Sequence, residues 1–351
     1  MLFRRHRLLC NEAGLAAHLG MPLKLLLIHH GAIGDVLMCT PAIRALRKAF
    51  PQAEISFLVD EKASDALRHN PNMDELVIVK KGMPLKAYWG LFLKIFKYRY
   101  DIIIDFQRNP RSALVTLISG AKKRISFEGK HRNYAYNVRV PPPDINFYAG
   151  LRKLMLLQPL NIFETADCLP DMYITEEDRK WADELWTELG FGQNDFVIAI
   201  SPVSIKPYRV WSADNFAHLC DHIMDKYDVN ILFTWGPHEF HFIESILQKM
   251  KNKPNVDYRI SSIKQLKALF EKCALFIGND NGPRHIAITS DIPTVGIFSH
   301  IFSSHWTPPD DSRHIAIQPR EPGIQNVELR TVIKPVDEVI ESLTRERFPK
   351  S

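Results

Sequence analysis

The sequence predicts an α/β protein with two Rossmann-like domains. Short apolar runs alternate with helix-like segments in both halves of the chain, and the alternation breaks between about residues 141 and 194. Strands this apolar, separated by helices, are typical of parallel sheets covered on both faces. Each half also contains a glycine-bearing turn directly after one of its buried strands. A length of 351 residues accommodates about two such domains.

The predicted elements follow in order along the chain. In the first half we predict strands at 25–29, 55–59, 76–79 and 102–106, with helices from the first turn to Phe50 and over 85–98. In the second half we predict strands at 196–200, 230–234, 274–278 and 294–298, with helices over 213–226, 239–251 and 263–272 and a short one from Gly282. Pro41 is expected to kink the first helix, and a last helix is expected over 336–348.

These elements divide into a first domain over 23–170, a second over 171–330 and a C-terminal segment over 331–351. The middle of the chain, with Pro141-Pro142-Pro143 and the acidic Glu176-Glu177-Asp178, is expected to be irregular and to link the domains. Residues 1–22 are interpreted as an extension, with three alternatives. They form a disordered basic arm, or residues 1–20 lie upstream of a true start at Met21. A membrane-touching arm is the third and least favoured alternative.

Composition excludes several classes of protein. Hydrophobic residues make up 46% and charged residues 24%, which is typical of a folded globular chain. The formal charge of +5 is mild for this length and argues against a dedicated nucleic-acid-binding protein. The five cysteines show no C-x-x-C spacing, which indicates a reducing compartment rather than a disulfide framework or a structural zinc site. No apolar run approaches the ~20 residues that span a bilayer.

The turn after the first strand reads Gly31-Ala32-Ile33-Gly34-Asp35. Its glycines permit close backbone approach to an anion near a helix start. The spacing is neither G-x-G-x-x-G nor a P-loop, so the nicotinamide-dehydrogenase and nucleotide-triphosphatase interpretations lose support. Asp35 has two interpretations that are compatible with each other, a helix cap and a catalytic base at a strand end.

In the second half, several strand ends carry groups suited to a nucleotide diphosphate. One strand ends at Gly278 and is followed by the polar turn Asp280-Asn281-Gly282. The loops after two other strands supply hydroxyls, cations and an acid suited to a ribose hydroxyl: Ser204, Lys206, Arg209, Gly236 and Glu239. Because the carboxyl ends of parallel strands share one edge, we expect these loops to form one site.

With these residues assembled, the sequence resembles the bacterial ADP-heptose:lipopolysaccharide heptosyltransferases, glycosyltransferase family nine. The resemblance runs from about residue 23 to residue 343. The segments that carry it are Gly31–Leu37 with Thr40–Leu46, Asp105–Ala113, Ser119–Ile125, Trp235–Glu239 and Asn279–Ala287.

The resemblance implies a GT-B fold, with two Rossmann-like domains facing across a cleft and a C-terminal helix crossing back to pack on the first domain. It implies an acceptor-binding first domain and a nucleotide-sugar-binding second domain. It also implies inverting, metal-independent heptose transfer without a cofactor, and Asp35 matches the family's catalytic base. The leaving diphosphate would then be met by cations and backbone N–H groups.

The residues expected to bind the donor are Gly34, Ser204, Lys206, Arg209, Gly236, Glu239, Ser261, Asp280, Asn281, Gly282 and His285. Three features depart from the family pattern, one of them the Ser201-Pro202-Val203 segment, which lacks the expected histidine or paired threonines. Arg209 stands where Lys is common, which changes reach and hydrogen-bond geometry, and Asn281 stands where Ser or Thr is common. These departures bear on the identity of the donor sugar and nucleotide more than on transferase chemistry.

The expected acceptor-binding cations are Arg108, Arg111, Lys122, Lys123 and Arg124. The alternative for the last three is a solvated basic face. The basic amphipathic segment 88–99 either packs its apolar face on the first sheet or touches a membrane surface.

The expected partners are ADP-heptose, or a related nucleotide sugar, and a lipid A–core acceptor at the membrane, with no nucleic acid. The expected location is cytoplasmic and peripheral at the inner face of the inner membrane. Two alternatives remain open: a family member with another nucleotide sugar or surface-glycan acceptor, and a sugar-nucleotide-binding protein without turnover.

Overall fold

A computed structural model describes residues 22–256, 258–260, 262–300, 302–309 and 311–347. The predicted extension over residues 1–22 therefore lies, apart from Pro22, outside the described residues, as does the end of the chain. The chain divides into two compact units, the first ending at Tyr173 and the second starting at Ile174. The sequence analysis had set this boundary between residues 170 and 171.

The described part of the first unit contains a six-stranded parallel sheet in the order β3-β2-β1-β4-β5-β6. Its strands are β1 (Lys24–His29), β2 (Glu54–Asp60), β3 (Glu75–Val79), β4 (Ile102–Asp105), β5 (Lys123–Phe127) and β6 (Val138–Val140). The central strands are almost wholly buried, which explains why they read as continuous apolar runs. β5 and β6 escaped prediction because both are short and interrupted by basic residues.

The helices of the first unit are α1 (Ile33–Leu37), α2 (Thr40–Ala49), α3 (Glu61–Ser64), α4 (Leu85–Tyr98), α5 (Pro110–Ile118) and α6 (Ala149–Met155). Short 3₁₀ turns occupy Asn133–Ala135 and Gln158–Leu160. Where one kinked helix was predicted up to Phe50, the structure has two. Pro41 lies in the first turn of α2, where its missing N–H costs nothing, so it does not kink a helix.

The described part of the second unit contains a five-stranded parallel sheet in the order β11-β10-β9-β7-β8. Its strands are β7 (Val197–Ser201), β8 (Asn230–Phe233), β9 (Leu275–Asn279), β10 (Thr294–Ile297) and β11 (His314–Ile317). Its helices are α7 (Glu176–Glu188), α8 (Ala213–Lys226), α9 (Phe240–Lys249), α10 (Ile263–Phe270), α11 (Gly282–Thr289) and α12 (Leu329–Arg347). Short 3₁₀ turns occupy Pro207–Arg209, Ser303–His305 and Ile324–Asn326.

The acidic segment of the predicted linker is helical. Thr175 caps α7 through a reciprocal pair of hydrogen bonds with Asp178, and the acids of its first turn complement the helix dipole. The middle of the chain therefore contains α6 and α7 rather than an irregular stretch throughout.

The C-terminal helix α12 differs from its prediction in start and in packing. It begins before Pro335 and runs through it, whereas the sequence analysis began the helix after this proline. Its buried side chains Val332, Val336 and Ile340 belong to the hydrophobic core of the second unit. Asp337 also accepts hydrogen bonds from His222 and Lys226 of α8. These contacts place α12 on the second unit, not on the first as predicted.

Candidate active site

The carboxyl edge of the first sheet brings together polar groups from β1, β2 and β4. His30 follows β1, and its backbone N–H donates to Gln107 Oε1 at 2.8 Å, while the Gln107 amide donates to the His30 carbonyl. The His30 ring contacts Asp60, at the end of β2, with Nδ1 to Oδ1 at 2.9 Å. Parallel pairing of β1 with both neighbours explains why these ends meet at one edge.

Asp35 lies at the third position of α1, five residues beyond His30, and its side chain is half-buried. The helix is capped at Ala32 without a side-chain hydrogen bond, so the helix-cap interpretation of Asp35 is wrong. Among the residues that the structure describes, none donates a hydrogen bond to the Asp35 carboxylate. The Asp35 carboxylate therefore lies at the carboxyl edge of the first sheet without a hydrogen-bond donor from the described part of the chain.

Gly31 is the reason that the chain can turn this closely around Asp35. A β-carbon added to Gly31 would lie 2.5 Å from Cε1 of the His29 ring and 3.2 Å from Cβ of Asp35. The first distance is a clash, so a side chain at this position would displace the His29 ring. The same two distances show that His29 and Asp35 flank one glycine.

His29 and His30 are both buried and carry ring nitrogens without a partner among the described residues, Nδ1 of His29 and Nε2 of His30. Burial lowers the pKa of His29 well below 6.5, and the charge of Lys153 lowers this pKa further. Burial also lowers the pKa of His30, against the opposing effect of Asp60. Both imidazoles are therefore neutral at pH 7.

A second acid at this edge, Asp105, has its carboxylate hydrogen-bonded to donors of the first unit. It is fully buried and accepts hydrogen bonds from the backbone N–H groups of Gln107 at 3.0 Å and Arg108 at 2.8 Å. The Tyr136 hydroxyl donates to it at 2.7 Å. Three donors to one buried carboxylate are a structural arrangement, and they fix the loop that carries Gln107.

The structure separates the predicted acceptor-binding cations. Arg111 lies at the carboxyl edge, 3.7 Å from Asp60 and hydrogen-bonded to the Tyr88 hydroxyl at 2.7 Å. Arg108 is occupied by the loop that follows β5, where it donates to the His131 carbonyl and, at 2.6 Å, to Asn133 Oδ1.

Lys122, Lys123 and Arg124 lie elsewhere. Lys123 pairs in register with Ile102, the first residue of β4, so this basic cluster sits at the amino edge of the sheet. Arg124 also donates to the backbone carbonyls of Ala121 and Ala135. The cluster does not share an edge with Asp35, and this geometry favours the solvated or structural alternative.

Lys153 is a cation at the carboxyl edge that the sequence analysis did not single out. Its ammonium donates to the Phe106 carbonyl at 3.2 Å, and its charge lowers the pKa of His29. It comes from α6, which the sequence analysis treated as part of an irregular stretch. Asp60 and Gln107 were missed as well, although both follow predicted strands directly.

The carboxyl edge of the second sheet is centred on Asp280, which is 2% exposed. Arg209 donates to its Oδ2 at 2.7 Å, and His300 Nε2 lies 3.3 Å from the same oxygen. Burial alone raises the pKa of Asp280, but the His300 hydrogen bond and the Arg209 charge outweigh burial and hold the pKa below 3.8. His300 was also missed by the sequence analysis, although it follows the end of β10.

Two asparagines join the loops around Asp280. Asn279 accepts from the Trp211 backbone N–H at 3.1 Å and donates to the Pro202 carbonyl. Asn281 caps α11 by accepting from the Arg284 N–H, and its amide donates to the Val203 carbonyl at 2.7 Å. Asn281 therefore fixes the relation between the loop after β7 and the turn at Gly282.

His285 stands on the first turns of α11 and is 5% exposed. Its ring centroid is 5.3 Å from that of Trp306, and its Nδ1 has no partner among the described residues. Burial, followed by the charge of Arg284, lowers the pKa of His285 to about 4. A neutral, buried imidazole with an unused nitrogen thus lies close to the Arg209–Asp280 pair, whose charges both act on it.

The remaining predicted donor contacts lie in the loops after β7 and β8. Glu239 turns back to accept the Gly236 backbone N–H at 2.7 Å, which closes the turn after β8. Ser204 is half-buried and Lys206 is exposed, with its ammonium 6.0 Å from the Tyr208 ring centroid. Gly34 is the second residue of α1, in the first unit. Ser261 lies outside the described residues.

The described side chains include no group of three or more His, Cys, Asp or Glu residues placed to hold a metal ion. None of the helices in the described part of the chain combines the length and apolar character that crossing a bilayer requires.

Comparison with solved structures defines the fold as GT-B. A glycosyl transferase family 9 structure from Veillonella parvula DSM 2008 matches with a TM-score of 0.81 and 23% identity, over 91% of this chain and 97% of that chain. The structure of E. coli ADP-heptose lps heptosyltransferase II matches with a TM-score of 0.73 and 20% identity, over 92% of this chain and 99% of that chain. The predicted fold of two Rossmann-like domains is confirmed.

Sequence comparison assigns the family. Lipopolysaccharide heptosyltransferase 3 of Escherichia coli (strain K12) is 25% identical to this chain, over 78% of it and 83% of the relative. The model of glycosyltransferase family 9 (heptosyltransferase) matches residues 89–334, well over half of the chain. The chain belongs to glycosyltransferase family 9, as its motifs predicted, and is a glycosyltransferase.

Proposed function

We propose that this enzyme transfers heptose from ADP-heptose to the inner core of lipopolysaccharide, on Kdo-lipid A or its heptosylated form, in a single inverting, metal-independent displacement. The names of its relatives support the substrates: a lipopolysaccharide heptosyltransferase by sequence and an ADP-heptose lps heptosyltransferase by fold. The observation that carries the mechanism is the Asp35 carboxylate, half-buried at a strand edge and without a donor among the described residues.

Asp35 is proposed to be the general base. As the acceptor hydroxyl attacks the anomeric carbon of the donor, its proton passes to the carboxylate, and the bond between that carbon and the diphosphate oxygen breaks. A carboxylate that accepts several hydrogen bonds from the protein is a weak base. The Asp35 carboxylate accepts none from the described residues, so its oxygens are available to the acceptor's proton. His29, which flanks Gly31 together with Asp35, is neutral and places no imidazolium there.

Arg209 is proposed to meet the charge that develops on the leaving ADP. Only one of its nitrogens donates to Asp280, and its buried Nε has no partner among the described residues. The planar guanidinium can therefore bind diphosphate oxygens while Asp280 fixes its orientation. Lys206, exposed on the same loop, supplies a second, mobile cation.

The other proposed donor contacts surround this pair. The turn of Asp280, Asn281 and Gly282 with His285 would face the sugar and diphosphate, and Glu239 would contact the ribose. Arg111 and Lys153 are the cations that the first sheet's carboxyl edge offers to an anionic acceptor. Such an acceptor is anchored in lipid, so we propose that the enzyme works peripherally at the cytoplasmic face of the inner membrane.

A transfer assay tests this function. The protein is incubated with ADP-heptose and purified core lipids truncated at successive sugars, and products are read by mass spectrometry. We expect a mass increase of one heptose on a truncated inner-core acceptor and inversion of the donor's anomeric configuration by NMR. A chelator should leave the rate within about twofold, since cations of the chain take the role of a metal.

The donor is tested separately by thermal stabilisation with ADP-heptose and with other ADP-, GDP- and UDP-sugars. Arg209 and Asn281 stand at departures from the family pattern and make this comparison informative. Stronger stabilisation by another nucleotide sugar, followed by its transfer, would replace ADP-heptose in the proposal. Donor binding without transfer to any acceptor would favour a binding protein instead.

A further inference from the structure

The first unit contains an apolar cavity of about 400 Å³ that the proposed chemistry does not use. It lies between helices α4 and α5, over strands β2 and β3. Its lining is almost entirely apolar and includes Leu58, Val79, Phe92, Leu114 and Ile118. A cavity of this size and lining is in the range of small-molecule binding sites.

Polar groups occur only at one end of this cavity. His30, Arg111 and the Tyr88 side chain line it there, and Arg111 is held by the Tyr88 hydroxyl at 2.7 Å and by Asp60 at 3.7 Å. The side chain of Arg111 remains 47% exposed. The cavity thus has an apolar interior and a cation at its mouth, which is the arrangement that an amphipathic anion requires.

The surface around the cavity is also apolar and exposed. Trp89, Leu93 and Phe96 follow one face of α4 at helical spacing, and they are 61%, 54% and 55% exposed. Leu114 and Leu117 of α5 are 45% and 43% exposed. Large exposed apolar patches mark binding surfaces, because water-exposed aromatic and aliphatic side chains are otherwise kept few.

Lysines border this apolar patch, which we define as Trp89, Leu93, Phe96, Leu114 and Leu117. Lys86 and Lys97 lie on the same face of α4, three residues before Trp89 and four after Leu93, and both are exposed. An apolar helix face flanked by lysines matches an anionic lipid surface in charge and in apolar character.

We propose that the patch docks on an anionic bilayer and that the cavity takes one acyl chain of a bilayer lipid, with the lipid's anionic head group at Arg111. This deepens the proposed function, because it rests on an enzyme that works at a membrane. When the cavity is occupied, Arg111 would bind the lipid's head group, which leaves Lys153 as the edge cation available to the acceptor's sugars. Since His30 lines the cavity and also borders the Asp35 edge, an occupied cavity places a lipid next to the acceptor site.

Fluorescence quenching tests the proposal without donor or acceptor, so its failure leaves the transferase proposal intact. Trp89 lines the cavity, and the other five of the six tryptophans follow residue 173. The full-length protein is titrated with phosphatidylglycerol vesicles whose acyl chains carry bromine, and with matched phosphatidylcholine vesicles. The signal from Trp89 is the quenching that a Trp89→Phe variant lacks. We expect saturable quenching of Trp89 by the anionic vesicles and weaker quenching by the zwitterionic ones.

Two variants separate the cavity from the surface patch. Leu114→Glu places a charge in the cavity lining, and Leu117→Glu places the same charge on the same helix at nearly equal exposure but outside the lining. We expect Leu114→Glu to weaken the Trp89 quenching about tenfold or more and Leu117→Glu to change it about twofold. Thermal melts of both variants check folding.

Three results overturn the proposal. Equal losses in the two variants would mean that lipid contacts the patch without entering the cavity. Absence of quenching from Trp89 would mean that the cavity takes another occupant, such as an apolar side chain of a protein partner. Quenching by a monomeric brominated fatty acid but not by vesicles would assign the cavity to a free fatty acid and not to a bilayer lipid.

Discussion

Each of the two sheets has an aspartate at its carboxyl edge, but the two carboxylates have different surroundings. Asp35 in the first unit is half-buried, lies beside Gly31 and has no hydrogen-bond donor among the described residues. Asp280 in the second unit is almost fully buried and is held by Arg209 and His300. The first arrangement suits a carboxylate that accepts a proton, and the second suits a carboxylate that holds a cation in place.

After substitution of Asp35 itself, substitution of Asp280 is expected to have the largest effect on activity, and it separates the two roles. Asp280→Asn keeps the shape of the side chain but removes the charge that orients Arg209. We expect kcat/KM for the nucleotide sugar to fall about 100-fold, mostly through weaker donor binding, because the guanidinium loses its anchor. Steady-state kinetics and calorimetric titration with donor measure this.

The matched control for Asp280→Asn is Asp291→Asn, in the same unit, which removes an exposed acid paired with Arg313. It should leave donor affinity unchanged. Unaltered donor binding in Asp280→Asn itself would show that the Arg209–Asp280 pair serves only the fold.

Acid sensitivity of the second unit should come partly from His285. Its pKa is about 4 in the folded protein against 6.5 for an ordinary histidine, so below pH 6.5 the unfolded chain binds a proton that the folded chain does not. The free energy of unfolding should therefore fall as pH drops from 6.5 to 4, by up to about 3 kcal/mol from this residue. Urea unfolding at pH 7 and pH 4.5 measures the drop.

His285→Asn should show a smaller drop than the parent protein, whereas the exposed His238→Asn should show the full one. If all three proteins lose the same stability between the two pH values, His285 is not the group that titrates.

A backbone change tests how tightly the Asp35 turn is built. Gly31→Ala should destabilise the protein by about 2 kcal/mol and lower transfer activity, because the new methyl group displaces the His29 ring beside Asp35. Gly90→Ala is the control, since a β-carbon there meets nothing within 4 Å and the residue lies inside a helix. That variant should gain up to about 1 kcal/mol in thermal or denaturant unfolding. Equal behaviour of the two would contradict the close packing around Gly31.

The smallest effect is expected at Asp105, the acid at the carboxyl edge of the first sheet that accepts three hydrogen bonds. Tyr136→Phe removes one of three hydrogen bonds to Asp105 and should cost about 1–2 kcal/mol of stability. Donor affinity should not change, since Tyr136 belongs to the first unit. A loss of donor affinity larger than the loss of stability would mean that the two edges are coupled more closely than their separate contacts indicate.

The central strands and the sites at their ends were predictable because a buried parallel strand leaves a continuous apolar run. The strand that precedes Asp35 and the one that precedes Asp280 are both of this kind, and the glycine turns after them mark ligand-binding edges. Strand β5 and the edge strands β6 and β11 were missed, since short, partly polar segments carry little periodicity. Two predictions that rested on proline were wrong. Pro41 lies in the first turn of a helix instead of kinking one, and α12 continues through Pro335.

The hydrogen-bond and ion-pair partners of these side chains could not be predicted from a single sequence. Asp35 and Asp280 look alike in the sequence, each in a glycine-bearing turn that follows a buried strand, yet only Asp280 is paired among the described residues. The partners His300 and Arg209 lie 20 and 71 positions from Asp280, so their contact depends on the sheet register. The edge of the sheet on which Lys123 lies was not predictable for a related reason, because it depends on where β5 begins.

The most direct test of the central claim is the transfer rate of Asp35→Asn with ADP-heptose and a truncated core lipid, measured beside donor affinity. Asp65→Asn, an exposed acid of the same unit paired only with Arg68 among the described residues, is the control. We expect Asp35→Asn to bind donor within about twofold of the parent and to lose transfer by about 10²–10⁴-fold, the range that a general base contributes. Transfer at a rate close to that of the parent and of Asp65→Asn would contradict this expectation.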